Sequence, residues 1–391
     1  MSKPRTVGIL GGGQLGAMLA SAIFELGHDV AIYEPNVEAP ACRQARNVTN
    51  APWNDRAALE KFFAACDVVT YETEHIDTVM LRTIDARNKL HPSLAVLEAT
   101  QHRLREKRFL ESQSLPHVAF AAVTDPTELA AAASVIGFPC IAKTVSGGYD
   151  GKGQFFFRSA DDVDNAVAAL PAGTPCVVEE AIDLMLEASC IVARAPGEKE
   201  VVFPVFENMH SAHILDMTVV PARLPPAVAE QMLRIALEAA RALDVTGLLT
   251  TEFFLAKPTS RSPLVVDDVA IYVNELAPRP HNSGHVTRAM CDQSQFDLLA
   301  RILCGAPITT PNTARDGTYC MTNLLGVLWG DDRTSPLDLA AWSEFPDVVQ
   351  VVMYGKREAQ SRRKMGHFVV RGDDAEDAIS RSQEFRSRIS R

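Results

Sequence analysis

The sequence predicts a protein of mixed α/β and α+β class that contains more than one domain. Over about the first 100 residues, short apolar runs alternate with helical segments, which is typical of a parallel α/β unit. Farther along the chain, strand-like blocks and helices mix without that alternation, which favours an α+β arrangement. A chain of 391 residues also exceeds the size of one ordinary hydrophobic core, so we expect two or three domains.

The amino-terminal region is predicted to be the parallel unit. The apolar run Thr6–Leu10 predicts the first strand, and a glycine-rich turn at 11–16 leads into a helix predicted over residues 14–26. Apolar runs at 30–33 and 66–71 predict two further strands, and a glutamate follows each of them. The region therefore places a carboxylate at the end of each of these two strands.

The rest of the chain is predicted to hold a charged helix, several strands, a long helix and a hairpin with an extended connection. In chain order these elements span 100–115, 138–143, 155–157, 176–178, 226–243, 251–255 and 271–275. A polar segment rich in turn residues at 307–316 predicts a boundary. Short strands at 349–354 and 367–370 and a final charged helix follow it.

Composition limits the classes of function. Hydrophobic residues make up 47% and charged residues 22%, as in globular proteins, and no apolar run approaches the ~20 residues of a membrane span. We expect no membrane association, and a start that enters a strand directly predicts no secretion signal. Eight scattered cysteines without a CxxC pair favour reduced thiols in the cytoplasm. A net charge of −11 argues against nucleic-acid binding, so any phosphate site must be local.

The first candidate site is the glycine turn. Gly11, Gly13 and Gly16 follow a predicted strand and precede a helix, and Glu34 ends the next strand. This context is typical of a dinucleotide-binding fingerprint, because glycines let backbone amides approach an anion at a helix N-terminus. A tight strand-to-helix turn without a ligand explains the glycines equally well. The loop would also suit one phosphate of a smaller ligand.

The second candidate site is a lysine followed by a glycine-rich loop. Lys143 ends an apolar strand, where a lone ammonium is costly to bury without an anionic partner. Four glycines lie within residues 147–153, and their amides could close over phosphates. The P-loop pattern GxxxxGK[ST] is absent. A simple flexible hairpin is the alternative, but it would not need Lys143 at its base and Lys152 inside the loop.

The third candidate site is an acidic strand end. Glu179 and Glu180 follow a predicted strand directly, with Glu187 a few residues on. An exposed strand edge can present main-chain groups to an adenine, and a glutamate can accept hydrogen bonds from ribose hydroxyls. On its own, an acidic strand end is more often simply solvated.

The fourth candidate site is the strongest. Glu252 and Glu275 each lie among strand-forming residues, and two carboxylates in such surroundings need compensation that a shared cation can supply. Magnesium takes one or two carboxylates and completes its octahedron with phosphate oxygens and water, which suits this pair together with Asn274. Two salt bridges and a turn are the alternative interpretation.

An arginine in a proline-bracketed loop follows the predicted magnesium ligands. Arg279 lies between two prolines, which restrict the loop, and its guanidinium offers a planar fork to a carboxylate or phosphate. His281, Asn282 and Ser283 come directly after it. The fifth candidate site is a cluster of basic residues near the carboxyl end, which predicts a phosphate clamp unless it is a solvated turn: Lys356, Arg362, Arg363, Lys364 and His367.

Together these motifs resemble the ATP-grasp superfamily, and within it the 5-(carboxyamino)imidazole ribonucleotide synthetase family of purine biosynthesis. The resemblance spans residues 6–370 and is carried by runs at 8–16, 70–72, 147–154, 274–285 and 363–367. The runs 147–154 and 278–285 in combination are highly specific. It implies a Rossmann-like domain at 1–100, an ATP-grasp module at 101–310 with a lid subdomain at about 118–182, and a small C-terminal domain at 311–391 that completes the substrate site.

The resemblance also implies a reaction. Bicarbonate attacks the γ-phosphate of ATP to give carboxyphosphate, and the carboxyl group passes to the exocyclic amine of 5-aminoimidazole ribonucleotide. ADP, phosphate and the N-carboxylated product leave. It further implies one or two Mg²⁺ ions with the nucleotide, a homodimer, and a downstream mutase that uses the product.

Site residues carry over from the resemblance position by position. Contacts with ATP are implied for Arg103, Lys143, Gly148, Tyr149, Asp150, Gly151, Lys152, Gly153, Gln154, Glu179, Glu180, Ala181, Ile182, Glu187, His210, Asn274 and Glu275. Magnesium is implied at Glu252, Glu275 and Asn274, and catalysis at Arg279, His281 and Lys143. The ribonucleotide and bicarbonate site is implied to comprise Gln14, Glu72, Tyr149, Asp150, Arg279, His281, Asn282, Ser283, Lys356, Arg363 and Lys364.

Three positions depart from the family pattern. Ala17 stands where an arginine is common, and Arg362 stands where a glycine is usual, so both bear on ribonucleotide binding. The connection at 257–268 is longer than usual, and we expect it at the surface.

Three alternatives stay open on sequence alone. A nicotinamide oxidoreductase would explain the glycine turn and Glu34 but not Lys143 or the paired acids, and it would be stabilised by NADH rather than Mg-ATP. A formyl-transferring or biotin-carboxylating relative would share the ATP half, although the basic run at 363–367 favours the aminoimidazole family. A non-catalytic nucleotide-binding module would not be expected to keep Arg279 beside the metal ligands.

Overall fold

The computed structural model describes residues 4–84, 88–147, 153–197, 199–313 and 316–390, and their strands form three sheets. The first sheet is parallel and has strands β1 Thr6–Leu10, β2 Asp29–Tyr33, β3 Asn47–Thr49 and β4 Val68–Tyr71. Its order is β3-β2-β1-β4. Because the strands are parallel, their carboxyl ends share one edge, and Glu34 and Glu72 both lie there beside the glycine turn.

The second sheet is small and antiparallel, with the order β5-β8-β6-β7. Its strands are β5 Phe120–Val123, β6 Cys140–Thr144, β7 Gln154–Phe157 and β8 Cys176–Glu180. It has a hydrophobic core of its own, which includes Leu129, Phe157 and Val178. This unit falls within the predicted lid subdomain.

The third sheet has ten strands in the described part of the chain. They are β9 Leu184–Arg194, β10 Glu200–Val202, β11 Phe206–Ser211, β12 Ile214–Val220, β13 Gly247–Ala256, β14 Val265–Val266, β15 Val269–Ala277, β16 Thr318–Leu325, β17 Val348–Met353 and β18 Lys364–Gly372. Their order is β14-β15-β13-β9-β11-β12-β16-β18-β17, with β10 paired to β9. The sheet thus continues across the boundary expected near residue 310, and the division into three domains stays a prediction.

Eleven α-helices are found in the described residues. They are α1 Gln14–Glu25, α2 Arg56–Ala65, α3 Thr78–Thr83, α4 Leu94–Thr100, α5 Arg103–Ser112, α6 Leu129–Ile136, α7 Val163–Ala169, α8 Pro226–Ala242, α9 Thr287–Met290, α10 Gln295–Cys304 and α11 Ala375–Ile389. The charged helix α5 is shorter than predicted at both ends, and the His102 side chain caps its N-terminus by accepting the N–H of Arg105. Among these helices, none has the length and apolarity needed to cross a bilayer.

Helix packing joins the first sheet to the third. Leu19 and Ile23 of α1 share one buried hydrophobic cluster with Leu299 and Leu303 of α10. Burial of such side chains contributes about 1.5–3 kcal/mol each, so α1 is held firmly against the large sheet. The N-terminus of α1, with Gln14, is thereby directed toward the cavity described next.

Candidate active site

A cavity of about 880 Å³ lies where the three sheets meet. It gathers many of the side chains predicted from the sequence: Gln14, Glu72, Arg103, Lys143, Gln154, Glu179, Glu187, His210, Glu252, Asn274, Glu275, Arg279, His281, Asn282 and Lys364. Within the described part of the chain, other predicted residues lie outside its lining: Gly153, Glu180, Ala181, Ile182, Ser283, Lys356 and Arg363. The predictions at Gly148, Tyr149, Asp150, Gly151 and Lys152 fall outside the described residues.

A β-bulge shapes the wall that bears the predicted magnesium ligands. Glu252 of β13 pairs with Glu275 of β15, while Phe253 pairs with Val273, so Asn274 is an extra residue on its strand. In a regular strand, neighbouring side chains point to opposite faces. The bulge breaks that alternation, and both Asn274 and Glu275 line the cavity.

The two carboxylates of this wall differ in their electrostatics. Glu275 is exposed to the cavity, but the enclosing walls withdraw it from bulk water, and together with Glu252 and Glu74 they raise its pKa to about 7. Burial would also raise the pKa of Glu252, but the neighbouring His281, which approaches it at 2.8 Å, lowers it to about 2. The wall therefore holds one firmly ionised carboxylate and one that other carboxylates repel.

This donor set suits Mg²⁺. Two carboxylates and an amide oxygen are hard ligands, and a cation between Glu252 and Glu275 would relieve their repulsion. No group of three or more His, Cys, Asp or Glu side chains that could hold a metal occurs in the described residues. Nucleotide phosphates and water would have to complete the coordination shell, which is how magnesium is usually bound.

Arg279 is fixed beside these carboxylates. Its Nε donates to Glu74 at 2.6 Å, and its Nη1 donates to the carbonyl oxygen of Pro280 at 3.0 Å. Burial opposes the charge of Arg279, but Glu74 outweighs it and raises the pKa of the guanidinium. The arginine stays charged and keeps an oriented fork at the cavity wall.

His281 is held from two sides. Its Nε2 lies 2.8 Å from Glu252, and its Nδ1 lies 2.8 Å from the hydroxyl of Ser283. The Ser283 hydroxyl is in turn 2.9 Å from that of Ser189, which accepts a hydrogen bond from Asn208. Ser283 was predicted to bind substrate, but it is fully buried behind His281 and orients the imidazole.

Asn282 also has a structural partner. Its side-chain amide exchanges two hydrogen bonds with that of Asn323 in β16, at 3.1 and 2.9 Å. Asn323 donates as well to the carbonyl oxygen of Leu215. Although Asn282 lines the cavity, its amide oxygen and nitrogen both join β16 to the proline-bracketed loop, so it contributes less free hydrogen-bonding capacity than the sequence predicted.

The anionic partner expected for Lys143 lies within the protein. Lys143 donates to Glu179 at 2.6 Å, and Lys107 lies 3.6 Å from the other oxygen of the same carboxylate. Burial would raise the pKa of Glu179, but the two ammonium groups lower it to about 2. Lys143 thus has the anionic partner that its burial requires, and its ammonium still faces the cavity.

The predicted adenine edge is only partly available. The N–H of Glu180 donates to Ala119, and the N–H of Ala181 donates to Pro139, so these two groups are already satisfied. The Glu180 carboxylate lies 3.4 Å from Arg261, at the exposed connection whose surface position was expected. Within the cavity, Glu187 and His210 lie 3.2 Å apart.

The glycine turn is occupied by carboxylates of the protein. Glu34 accepts the N–H of Gly12 at 2.7 Å, and Glu72 accepts the N–H groups of Gly13 at 2.6 Å and Gly16 at 3.0 Å. These are the amides that a bound phosphate would use. Protein carboxylates thus take the place that the dinucleotide and phosphate hypotheses gave to a ligand, and the turn fixes Glu72 at the cavity wall.

The basic cluster lies at the cavity rim. Lys364 lines the cavity, and Lys356 donates to the carbonyl oxygen of Lys364 at 2.7 Å. Arg363 donates to the carbonyl oxygen of Glu358. Burial, Arg363 and Lys364 lower the pKa of Lys356 to about 8, against a smaller opposing effect of Glu72. Lys364 thus lines the cavity, and Lys356 and Arg363 lie next to it.

Sequence reasoning missed three charged residues that line the cavity. Glu74 lies two positions after Glu72, and its negative charge could have suggested it as an ion-pair partner for Arg279. Glu106 and Lys107 belong to α5, whose many charges suggested a solvated helix, yet both are only 2% exposed. A charged helix has no pattern that distinguishes its buried charges from its solvated ones.

Comparison with known proteins supports the resemblance along the whole chain. A family described as "Ribonucleotide synthetase preATP-grasp domain" matches residues 4–101, "ATP-grasp domain" matches 108–296, and "Phosphoribosylaminoimidazole carboxylase C-terminal domain" matches 320–381. The N5-carboxyaminoimidazole ribonucleotide synthase of Bacillus subtilis (strain 168) is 35% identical over 364 residues, which cover 92% of this chain and 90% of that protein.

Solved structures agree with this result. The N5-carboxyaminoimidazole synthetase of Staphylococcus aureus, complexed with ADP, is 31% identical with a TM-score of 0.87, covering 100% of this chain and 98% of that one. The Aspergillus clavatus synthase, in complex with ADP and 5-aminoimidazole ribonucleotide, is 27% identical with a TM-score of 0.85, covering 100% of both chains. The predicted fold and family are confirmed, and the oxidoreductase alternative is rejected. The chain belongs to the N5-carboxyaminoimidazole ribonucleotide synthase family of ATP-grasp ligases.

Proposed function

We propose that the cavity carboxylates 5-aminoimidazole ribonucleotide with bicarbonate and ATP, by way of carboxyphosphate. The single observation that best supports this is the meeting, in one cavity, of a wall of hard oxygen ligands, an oriented arginine and a basic rim. The first suits a metal-bound triphosphate, the second a carboxylate-like intermediate, and the third a ribonucleotide phosphate. The products would be ADP, phosphate and 5-(carboxyamino)imidazole ribonucleotide.

The nucleotide half of the reaction would use one side of the cavity. Lys143 and Arg103 would neutralise phosphate charge, while Asn274, Glu275 and Glu252 would hold one or two Mg²⁺ ions on the triphosphate. The metal would supply charge neutralisation and in-line positioning of the phosphoryl group. Glu187 and His210 would lie on the ribose side.

The transfer half of the reaction would use Arg279 and His281. The Arg279 fork would bind bicarbonate and then the carboxyl group of carboxyphosphate through paired hydrogen bonds. His281, oriented by Ser283, would steady the same group from the Glu252 side. Carboxyphosphate hydrolyses readily, so the glycine-rich segment at 148–154 is proposed to exclude water as a lid.

The ribonucleotide would occupy the remaining side. Gln14 and Glu72 would contact its aminoimidazole, since both line the cavity at the edge of the first sheet. Lys356, Arg363 and Lys364 would bind its phosphate at the rim. Tyr149 and Asp150 complete this proposal from the family resemblance alone, as do the homodimer, the cytoplasmic location and the downstream mutase.

Phosphate release from ATP tests the proposed reaction. We expect turnover only when 5-aminoimidazole ribonucleotide and bicarbonate are both present, because phosphoryl transfer without an acceptor would waste carboxyphosphate. Release would be measured in bicarbonate-depleted buffer, with each component added back in turn. Equal phosphate release with formate in place of bicarbonate, or with glycinamide ribonucleotide as acceptor, would contradict the assignment in favour of another ATP-grasp reaction.

The proposed phosphate clamp predicts a specific pH dependence. Because the pKa of Lys356 is lowered to about 8, its ammonium is lost as the pH rises through that value, and attraction for phosphate is lost with it. We expect kcat/KM for the ribonucleotide to fall above about pH 8 while kcat/KM for ATP changes less. In Lys356→Arg the fall should move to higher pH, and Lys356→Ala should raise the KM for the ribonucleotide more than that for ATP. Equal effects on both substrates would contradict a clamp.

A further inference from the structure

The main chain on both sides of Glu275 is held by two adjacent residues of α5. Glu106 accepts the N–H of Leu276 at 2.7 Å, and Lys107 donates to the carbonyl oxygen of Asn274 at 3.2 Å. Both side chains are almost completely buried. The peptide group before Glu275 and the one after it are therefore each fixed by a buried side chain, the first by the Lys107 ammonium and the second by a carboxyl oxygen of Glu106.

This stretch of β15 needs such support. On one side β15 pairs with β13 through the bulge at Asn274, and on the other side β14 pairs only with its first residues, Val269 and Ala270. Farther along this edge of β15, no strand of the described residues pairs with it, and side chains of α5 bind its backbone instead. A bulge at an uncovered edge would leave the direction of the Asn274 and Glu275 side chains poorly fixed.

Lys107 also connects this wall to the phosphate side of the cavity. Its ammonium lies 3.6 Å from Glu179, whose carboxylate accepts a hydrogen bond from Lys143 at 2.6 Å. Helix α5 thus contacts both the strand that bears the proposed metal ligands and the carboxylate that binds the proposed phosphate lysine. Replacing either α5 side chain would disturb the metal ligands without removing any of them.

We infer that Glu106 and Lys107 are positioning residues that set the direction of Asn274 and Glu275 toward a nucleotide-bound divalent cation. This inference rests on the proposed function, since it assigns the bulge to magnesium. Residues that orient metal ligands typically change metal affinity about 10- to 100-fold when they are replaced. A residue that only stabilises the fold would lower the unfolding temperature without such a change.

Binding of Mn²⁺ to the ADP complex, followed by electron paramagnetic resonance, tests this role without turnover. In Glu106→Leu, which has no acceptor for the Leu276 N–H, we expect the Mn²⁺ dissociation constant to rise about 10-fold or more. Glu106→Gln keeps a carbonyl acceptor at that place and should lie closer to the wild type. Lys107→Met keeps the aliphatic part of the side chain but cannot donate to the Asn274 carbonyl oxygen, so it should also weaken Mn²⁺ binding. Because two residues are tested, the result does not depend on one variant folding.

A matched control separates positioning from stability. Glu207 is an equally buried glutamate that accepts the N–H of Arg223 at 3.0 Å and lies outside the cavity lining. Glu207→Leu should lower the unfolding temperature but leave the Mn²⁺ affinity of the ADP complex unchanged. Wild-type Mn²⁺ affinity in both Glu106→Leu and Lys107→Met would overturn the positioning role alone. A wild-type ADP complex that binds no Mn²⁺ would instead overturn the magnesium proposal and this inference with it.

Discussion

Replacing Arg279 with alanine should reduce carboxylation about 10²- to 10³-fold, or ~2.7–4 kcal/mol of transition-state stabilisation, while ADP still binds. The reason is geometric. Glu74 and the Pro280 carbonyl fix the guanidinium, so its fork is already oriented before a substrate arrives. Donors oriented in advance stabilise developing charge without reorganisation during the reaction. Steady-state turnover and ADP calorimetry on the same preparation would measure the two effects.

A second substitution separates the charge of Arg279 from its shape. Arg279→Lys keeps a cation beside Glu74, so the partly buried carboxylate is not left unpaired, but it loses the planar fork. We expect turnover between those of the wild type and Arg279→Ala. Arg194, which pairs with Asp244 at 2.8 Å and lies outside the cavity lining, provides a control. Arg194→Ala should cost stability but not specific activity, and turnover equal to the wild type in Arg279→Ala would refute the assignment.

Much of the fold could be predicted from local sequence patterns. The helix predicted over 14–26 is observed as Gln14–Glu25, and the long helix predicted over 226–243 is observed as Pro226–Ala242. The hairpin of β13 and β15 is also confirmed. These elements are long and regularly patterned, so packing and local preference agree. The continuation of one sheet through β16 could not be predicted, because strand pairing between distant segments has no local pattern.

The sequence predicted which residues form the candidate site better than it predicted the protein groups that those residues contact. Motifs identified Lys143, Glu72 and Ser283, but each has a protein partner that sequence spacing does not show. A carboxylate that binds amides of the glycine turn comes from a strand about 60 residues away, and α5 reaches β15 across about 170 residues. Such contacts follow from the tertiary arrangement of elements, whereas a motif reports only the residue types at one place.

Replacing Glu275 with glutamine should reduce kcat/KM for Mg-ATP by at least about 10²-fold, or ~2.7 kcal/mol, because a neutral amide is a poorer magnesium ligand than a carboxylate. The same change should not destabilise the metal-free protein. Without a cation, withdrawal from bulk water and repulsion by Glu252 and Glu74 both disfavour the charge of Glu275, which is why its pKa is raised to about 7. Above that pH the wild type bears this repulsion in full and the variant does not. At pH 8 with EDTA, the unfolding temperature of Glu275→Gln should therefore equal or exceed that of the wild type.

Adding magnesium and ADP should reverse that order. The cation relieves the repulsion in the wild type and binds less tightly to the variant, so ligand stabilisation should be larger for the wild type. Glu207→Gln serves as the control, because it removes a buried carboxylate that faces Arg223 rather than the cavity. Glu207→Gln should lower the unfolding temperature by the same amount with and without magnesium and ADP. If Glu275→Gln behaved like Glu207→Gln in both conditions, Glu275 would be a structural carboxylate. The opposite signs expected with and without metal distinguish a ligand that the fold holds under repulsion from one that merely supports the sheet.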